Sequence, residues 1–231
     1  MTLFEFIYYI GYSLKKQSAF KNQKRLPHKV ISIGNVTIGG AGKTPATIAV
    51  TEEAKRRGFQ PVILTRGYKG KAKGPCFVDV SGLRPQASEN MHQAWNIKRS
   101  PLDNRLLTFS TSCLYGDEPV LMAQRLPNVP IVKCADRYEG GVFAIKNFKS
   151  QILNFKSPII FILDDGFQHW RLYRDLDIVL IDGLNPFGNR RLFPVGPLRE
   201  PLAELKRADI FVITKAKNEA LLNELKAINQ A

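Results

Sequence analysis

Cysteine is scarce in this sequence, and its three copies are poorly placed for any shared role. Cys76, Cys113 and Cys134 are far apart, odd in number and form no Cys-x-x-Cys pair. That argues against a disulfide framework or a zinc site and makes a reducing cytosol the expected compartment. Histidine is equally sparse, and His28, His92 and His169 have no metal-ligand spacing among them. Acidic residues are outnumbered, 20 against 34 basic, which leaves a formal charge of +14. Such an imbalance favours a polyanionic partner (nucleic acid, an anionic membrane surface or a phosphorylated substrate) or is carried as a solvated basic surface. The aromatic-rich apolar stretch at 3–14 is interrupted by Glu5 and too short to span a bilayer. It has neither a basic segment before it nor a small-residue cleavage site, which argues against a secretory signal. Internal repeats are lacking. What remains is 231 residues, 44% hydrophobic and 23% charged, enough for one well-buried α/β domain or one domain with a small appendage.

The densest signal is Gly34-Asn35-Val36-Thr37-Ile38-Gly39-Gly40-Ala41-Gly42-Lys43-Thr44, between the apolar run Val30–Ile33 and a helix-compatible segment, 45–57. Strand, glycine-rich turn, Lys-Thr and helix is the order of a phosphate-binding P-loop. Glycines let backbone N–H groups close around phosphate oxygens, and the helix adds the positive end of its dipole. Gly39, Gly40, Ala41 and Gly42 would form the cradle, Lys43 would reach the β- and γ-phosphates, and the Thr44 hydroxyl would join a Mg²⁺ shell. The pattern departs from the usual one at Thr37, where a glycine is expected. A dinucleotide fingerprint fits less well, since its third glycine would fall on Pro45.

Around this loop the chain alternates short apolar runs with helix-compatible segments. Runs at 61–65, 129–133, 158–163, 177–182 and 209–214 read as strands, and 120–126, 138–149 and 217–229 as helices. The run 158–163 is continuous, as expected of a central parallel strand buried on both faces. The pattern predicts an α/β, P-loop NTPase-like fold, a mainly parallel sheet flanked by helices. Residues 74–115 read as a long polar excursion, with short strands at 76–80 and near 106–110. Ahead of the sheet, the apolar helix at 3–14 runs into Lys15, Lys16, Lys21, Lys24 and Arg25. That pairing suits either a membrane interface or packing on the helix's own domain. The expected division is residues 1–28, an N-terminal amphipathic helix with a basic linker, and 29–231, the P-loop domain.

Ligands of such sheets bind beyond the carboxyl ends of the strands. The polar residues gather there: Arg66 after 61–65, Asp136 and Arg137 after 129–133, Asp164 and Asp165 after 158–163. Asp164 and Asp165 have the place of a Walker B element that holds Mg²⁺ with Thr44, or of a turn or cap. Asp117 and Glu118 sit at a helix start, as caps or as a general base taking a hydroxyl proton. Arg137, Arg171, Arg174 and Arg199 can pair with phosphate oxygens or serve as solvated or structural side chains. His169 can position a substrate or be structural.

Taken together, these segments resemble the tetraacyldisaccharide 4′-kinase (lipid A 4′-kinase) family of Gram-negative bacteria. The resemblance rests on Ile33-Gly34-Asn35 through Pro45, Thr65-Arg66-Gly67-Tyr68, Gly116-Asp117-Glu118-Pro119 and Asp136-Arg137. It continues in Leu163-Asp164-Asp165-Gly166-Phe167-Gln168-His169, Arg174-Asp175-Leu176, Pro186-Phe187-Gly188-Asn189 and Pro194 to Pro201. It implies a peripheral kinase at the cytoplasmic face of the bacterial inner membrane. Such an enzyme moves the γ-phosphate of ATP to the 4′-hydroxyl of a tetraacyldisaccharide 1-phosphate, a lipid A precursor, to give lipid IVA. It further implies that Lys43 and Thr44 serve ATP and Mg²⁺, that Asp164 and Asp165 belong to the metal and catalytic site, and that Asp117 is the base. Arg137, Gln168, His169, Arg171 and Arg199 are the expected substrate-side residues, and the N-terminal helix is expected to dock on an anionic membrane surface and the acyl chains. Members of that family are longer, so a C-terminal lobe bearing a histidine that assists the catalytic aspartate is expected to be missing here. The excursion at 74–115 is longer than its counterpart. Two rival classes fit less well. In a switch GTPase the turn after the last strand carries a guanine-reading Asp, but Thr214-Lys215-Ala216 leads to Lys217. A nucleic-acid-dependent ATPase needs aromatics interleaved with its basic groove, whereas those here concentrate at the N-terminus, so no nucleic acid is expected.

Overall fold

The computed structural model describes residues 2–67, 70–71, 74–80, 114–150 and 157–229. Among them a seven-stranded sheet carries the fold. Its strands are β1 (Lys29–Gly34), β2 (Gln60–Thr65), β3 (Cys76–Phe77), β4 (Ile131–Lys133), β5 (Ile159–Asp164), β6 (Leu176–Asp182) and β7 (Ile210–Thr214). Their order is β3-β4-β2-β5-β1-β6-β7, and every pair is parallel except β3 with β4. The helices are α1 (Leu3–Lys21), α2 (Lys43–Arg56), α3 (Asp117–Arg125), α4 (Arg137–Ser150) and α5 (Glu219–Ile228). A 3₁₀ helix covers Leu202–Arg207.

Alternation along each strand assigns side chains to two faces. Ile33, Ile63, Ile131 and Ile162 meet Val120 and Met122 of α3 in one core. Val30, Val62, Leu64, Val132, Phe161 and Leu163 meet Ala144 and Phe148 of α4 in the other. A third cluster joins Val179 and Ile181 of β6 to Leu221 and Leu225 of α5. The parallel sheet and its flanking helices are therefore as the sequence predicts, and the central run 158–163 is β5. The differences lie at the ends. The strand expected at 76–80 is a strand only over Cys76–Phe77, with Val78 N–H still donating to the Ile131 carbonyl (2.8 Å), and α3 begins at Asp117 rather than 120. The strand expected near 106–110 lies outside the described residues.

α1 extends seven residues past the expected helix, through its lysines. Its N-terminus is a capping box: Thr2 accepts from the Glu5 amide, and Glu5 accepts from Thr2 N–H. Its orientation is inverted relative to an ordinary surface helix. The inward stripe carries the polar groups: Glu5 takes two bonds from Arg191 (3.0 and 2.7 Å), Tyr8 Oη donates to the Arg199 carbonyl (2.7 Å), Tyr12 Oη donates to Glu200 (3.4 Å), and Lys16 pairs with Glu204, while the Tyr12 ring and Ala19 pack on Trp170. Leu3, Phe4, Phe6, Ile7, Ile10 and Leu14 face outward, exposed. Among the described residues no helix is long and apolar enough to cross a membrane.

Candidate active site

β1 and β5 are hydrogen-bonded neighbours, with Ile33 beside Asp164. The glycine-rich loop and the two aspartates therefore leave the sheet side by side. Gly39 (φ 125°) and Gly42 (φ 84°) adopt left-handed backbone, which other residues rarely tolerate, and a Cβ on Gly39 or Gly40 would meet nothing within 4 Å. The loop surface is thus open bare backbone. α2 starts directly behind Gly42 without a side-chain cap, so its first N–H groups face this space.

Thr37, the position where the pattern lacked a glycine, is extended and bridges Leu198, while Ile38 N–H donates to the Pro197 carbonyl (2.7 Å). No left-handed residue is needed there, because this half of the loop is paired to another segment. Gly34 is required for close approach instead, since an added Cβ would lie 2.6 Å from Phe167 Cβ and 2.8 Å from its N. It lets the turn after β5 pass close over the end of β1.

Lys43 Nζ donates to Asn35 Oδ1 (3.2 Å) and the Gly39 carbonyl (3.3 Å) and stands 3.8 Å from Asp165. The ammonium is therefore folded over the glycine loop. Asp165, at φ 51°, accepts from the Arg199 guanidinium with both oxygens at 2.9 Å. Arg199 also donates to Gln168 (3.4 Å), whose amide donates to the Asn35 carbonyl (2.8 Å) and to Glu200 (2.7 Å). Glu200 is fully buried against Arg207 (2.7 Å), and burial pushes its carboxyl up to about 7.

Asp164 is buried at the end of β5 and accepts from Thr47 of α2 and Thr65 of β2, both at 3.2 Å. Burial raises its carboxyl to about 6, with the Glu118 and Asp165 charges acting in the same direction. Gly116, not Asp117, is the cap residue of α3, so Asp117 and Glu118 occupy its first turn, exposed.

Arg137 is buried at the start of α4. Its guanidinium donates to the Ala135 carbonyl (2.9 Å), and its N–H donates to His169 Nε2 (3.4 Å). Burial, with the Arg137 charge, drives His169 down to about 3, so the imidazole is a neutral acceptor. Arg171 is exposed, 3.8 Å from Asp136. Arg174 is buried in a pair with Asp177 (2.9 Å) and donates to the His169 carbonyl (2.9 Å), a structural role behind the site.

The structure thus gathers Lys43, Asp164, Asp165, Gln168 and Arg199 into one connected group, with Arg137 and His169 as a second, adjoining pair. Arg171 stands apart. Sequence reasoning missed Asn35, Thr47, Thr65 and Glu200. Asn35 and Thr65 at strand ends were the available signals; the other two are defined only by tertiary contact. The oxygen donors at the strand ends, the Asp164 and Asp165 carboxylates, are of the type that Mg²⁺ takes. Mg²⁺ takes one or two carboxylates and completes its shell with water and phosphate. A cation beside Asp164 would favour the charged carboxylate that burial, with the Glu118 and Asp165 charges, now disfavours.

The chain matches the family model described as tetraacyldisaccharide-1-P 4′-kinase over residues 1–90 and 101–230. It is 39% identical over 219 residues to the tetraacyldisaccharide 4′-kinase of Syntrophus aciditrophicus, covering 93% of this chain and 50% of that one. With the corresponding protein of Aquifex aeolicus it shares 40% over 195 residues, 84% of this chain and 50% of the other. It is also similar to a crystal structure of LpxK from Aquifex aeolicus in complex with ATP, with a TM-score of 0.67 at 37% identity over 91% of this chain and 56% of that one. The chain spans about half the length of the curated relatives it matches.

Proposed function

The chain belongs to the tetraacyldisaccharide-1-P 4′-kinase family, and on that premise we propose that it supplies the ATP site of a kinase that phosphorylates the 4′-hydroxyl of a tetraacyldisaccharide 1-phosphate. The observation that carries this reading is the Lys43 ammonium lying over an open glycine loop, 3.8 Å from a carboxylate that follows the neighbouring strand.

Gly39 to Gly42 and the α2 N-terminus bind the phosphate chain of ATP through backbone N–H groups, and Lys43 swings from its oxygen partners to the β- and γ-phosphates. Thr44, Asp164 and Asp165 are the residues that would hold Mg²⁺, which supplies charge neutralisation at the phosphate oxygens. Arg199, already paired with Asp165, is placed to share that charge. Asp117, exposed at the mouth, accepts the 4′-hydroxyl proton. Arg137, Gln168, His169 and Arg171 form the acceptor side: Gln168 and His169 hold the strand ends in register, and Arg171, exposed, can turn toward phosphate.

Residues 1–28 act as a membrane-interface element. The exposed apolar face of α1, flanked by Lys15, Lys21, Lys24 and Arg25, suits an anionic bilayer and the acyl chains of the substrate. The expected location is the cytoplasmic face of the inner membrane.

The test is phosphate transfer from labelled ATP to the lipid acceptor by the full-length protein. Lys43→Ala and Asp117→Ala are each expected to lose transfer by at least ~10², with ATP binding spared in Asp117→Ala. Transfer at the normal rate in Lys43→Ala would sink the reading; normal transfer in Asp117→Ala would remove only that residue as the base.

A further inference from the structure

Lys133, the last residue of β4, is buried to 4% exposure. An ammonium is costly to desolvate unless its protons find acceptors. Here Nζ donates to the Gly70 carbonyl (3.0 Å) and the Leu114 carbonyl (3.1 Å). These carbonyls belong to separate parts of the chain. Gly70 closes the turn that leaves β2 after Arg66, through a bond from its N–H to the Gly67 carbonyl (3.0 Å). Leu114 lies three residues before Asp117.

The two segments are pressed together around the lysine. A Cβ on Gly70 would come within 2.5 Å of the Tyr115 carbonyl carbon. One on Gly67 would lie 2.6 Å from both Cδ and Cε of Lys133, and φ at Gly67 is +63°. The lysine stem therefore fills the seam, and its head bridges it. On one side the seam continues to Thr65, whose hydroxyl bonds Asp164 and accepts from Gly67 N–H (3.4 Å). On the other it continues through Gly116 (φ 93°) into the first turn of α3.

We propose that Lys133 is a positioning residue for phosphate transfer: by tying the Gly67–Gly70 turn to Leu114, it fixes where Asp117 stands relative to the Asp164 end of β5. A methionine would fill the same seam without burying a charge, so the lysine is poorly explained by packing alone. The proposal rests on the kinase reading above, with Asp117 as the base.

The experiment measures kcat, KM for the lipid acceptor and ATP affinity in the full-length protein for Lys133→Met, Asp117→Asn and the double variant. Lys133→Met is expected to lower kcat at least tenfold, with ATP affinity unchanged within twofold. In the Asp117→Asn background the same change is expected to cost nothing further, because the residue it positions is gone. Should Lys133→Met fail to fold, Gly70→Ala, which displaces the Tyr115 backbone and leaves the lysine in place, is expected to give the same kcat loss. Unchanged kcat in a folded Lys133→Met, or an undiminished loss on top of Asp117→Asn, overturns the proposal. Unchanged kcat in Gly70→Ala does so where Lys133→Met does not fold. If the wild-type protein transfers no phosphate, the kinase reading itself fails and the proposal falls with it.

Discussion

Replacing Asp164 by asparagine should make the protein more stable while making it useless. The carboxyl is buried, and its folded value of about 6 lies above the ordinary 3.8. A group raised in this way contributes stability below pH 4, where both states are protonated. It loses that contribution as pH climbs through 6, where the folded state must give up its proton. The difference of about 2 units corresponds to about 3 kcal/mol lost by pH 8. Asparagine keeps the shape and can still accept from Thr47 or Thr65, but it weakens bonds now made to a charge. Allowing about 1 kcal/mol for that leaves a gain of about 2 kcal/mol, or about 4–8 °C in Tm for a chain of this size. Thermal melts of wild type and Asp164→Asn at pH 4 and pH 8, without nucleotide, measure it. The gain should be present at pH 8, absent at pH 4 and accompanied by loss of phosphate transfer. A variant that melts below wild type at pH 8, or gains equally at both pH values, would refute the reasoning.

Gly34→Ala should destabilise by about 1–3 kcal/mol, because the new methyl group collides with Phe167 backbone rather than with a yielding side chain; chemical denaturation reads this directly. The pair Phe4→Ser and Ile7→Ser, both exposed on α1, should leave the melting curve in place and weaken binding to anionic vesicles. At about 1 kcal/mol per side chain the loss is roughly thirtyfold, measurable by co-sedimentation.

The sheet was legible because its strands are continuous apolar runs that end in polar residues at one edge. Lys43, Asp164 and Asp165 could be placed at one edge from that rule alone; that they are neighbours follows from β1 pairing with β5. The departure at Thr37 was legible as a departure but not as a cause, because its explanation is a partner 161 residues away at Leu198. α1 was read as apolar without revealing which side would be buried. Its polar residues recur at helical spacing, but it takes Arg191, Glu200, Glu204 and Trp170 on distant segments to make that stripe the inner one. Lys133 looked like an ordinary polar residue closing a strand. What sets it apart is the approach of two backbone segments, and one-dimensional spacing carries no record of that.

Inverting α1 leaves a largely apolar face outward and a mixed polar and aromatic face against the protein. Its grip on the protein combines ion pairs and hydrogen bonds to Arg191, Glu204, Arg199 and Glu200 with the packing of Tyr8 and Tyr12 against Phe193 and Trp170, and pairs this buried are screened little by salt. Its outer face presents apolar side chains, whose attraction to another surface grows with the apolar area covered. The two can drift independently: residues on the outside can be exchanged for oilier or more polar ones without disturbing the seam. The same seam ends on Arg199 and Glu200, whose neighbours are Asp165 and Gln168. A change at the inner face of α1 should therefore be felt at the Lys43 loop, through Arg199 and Glu200.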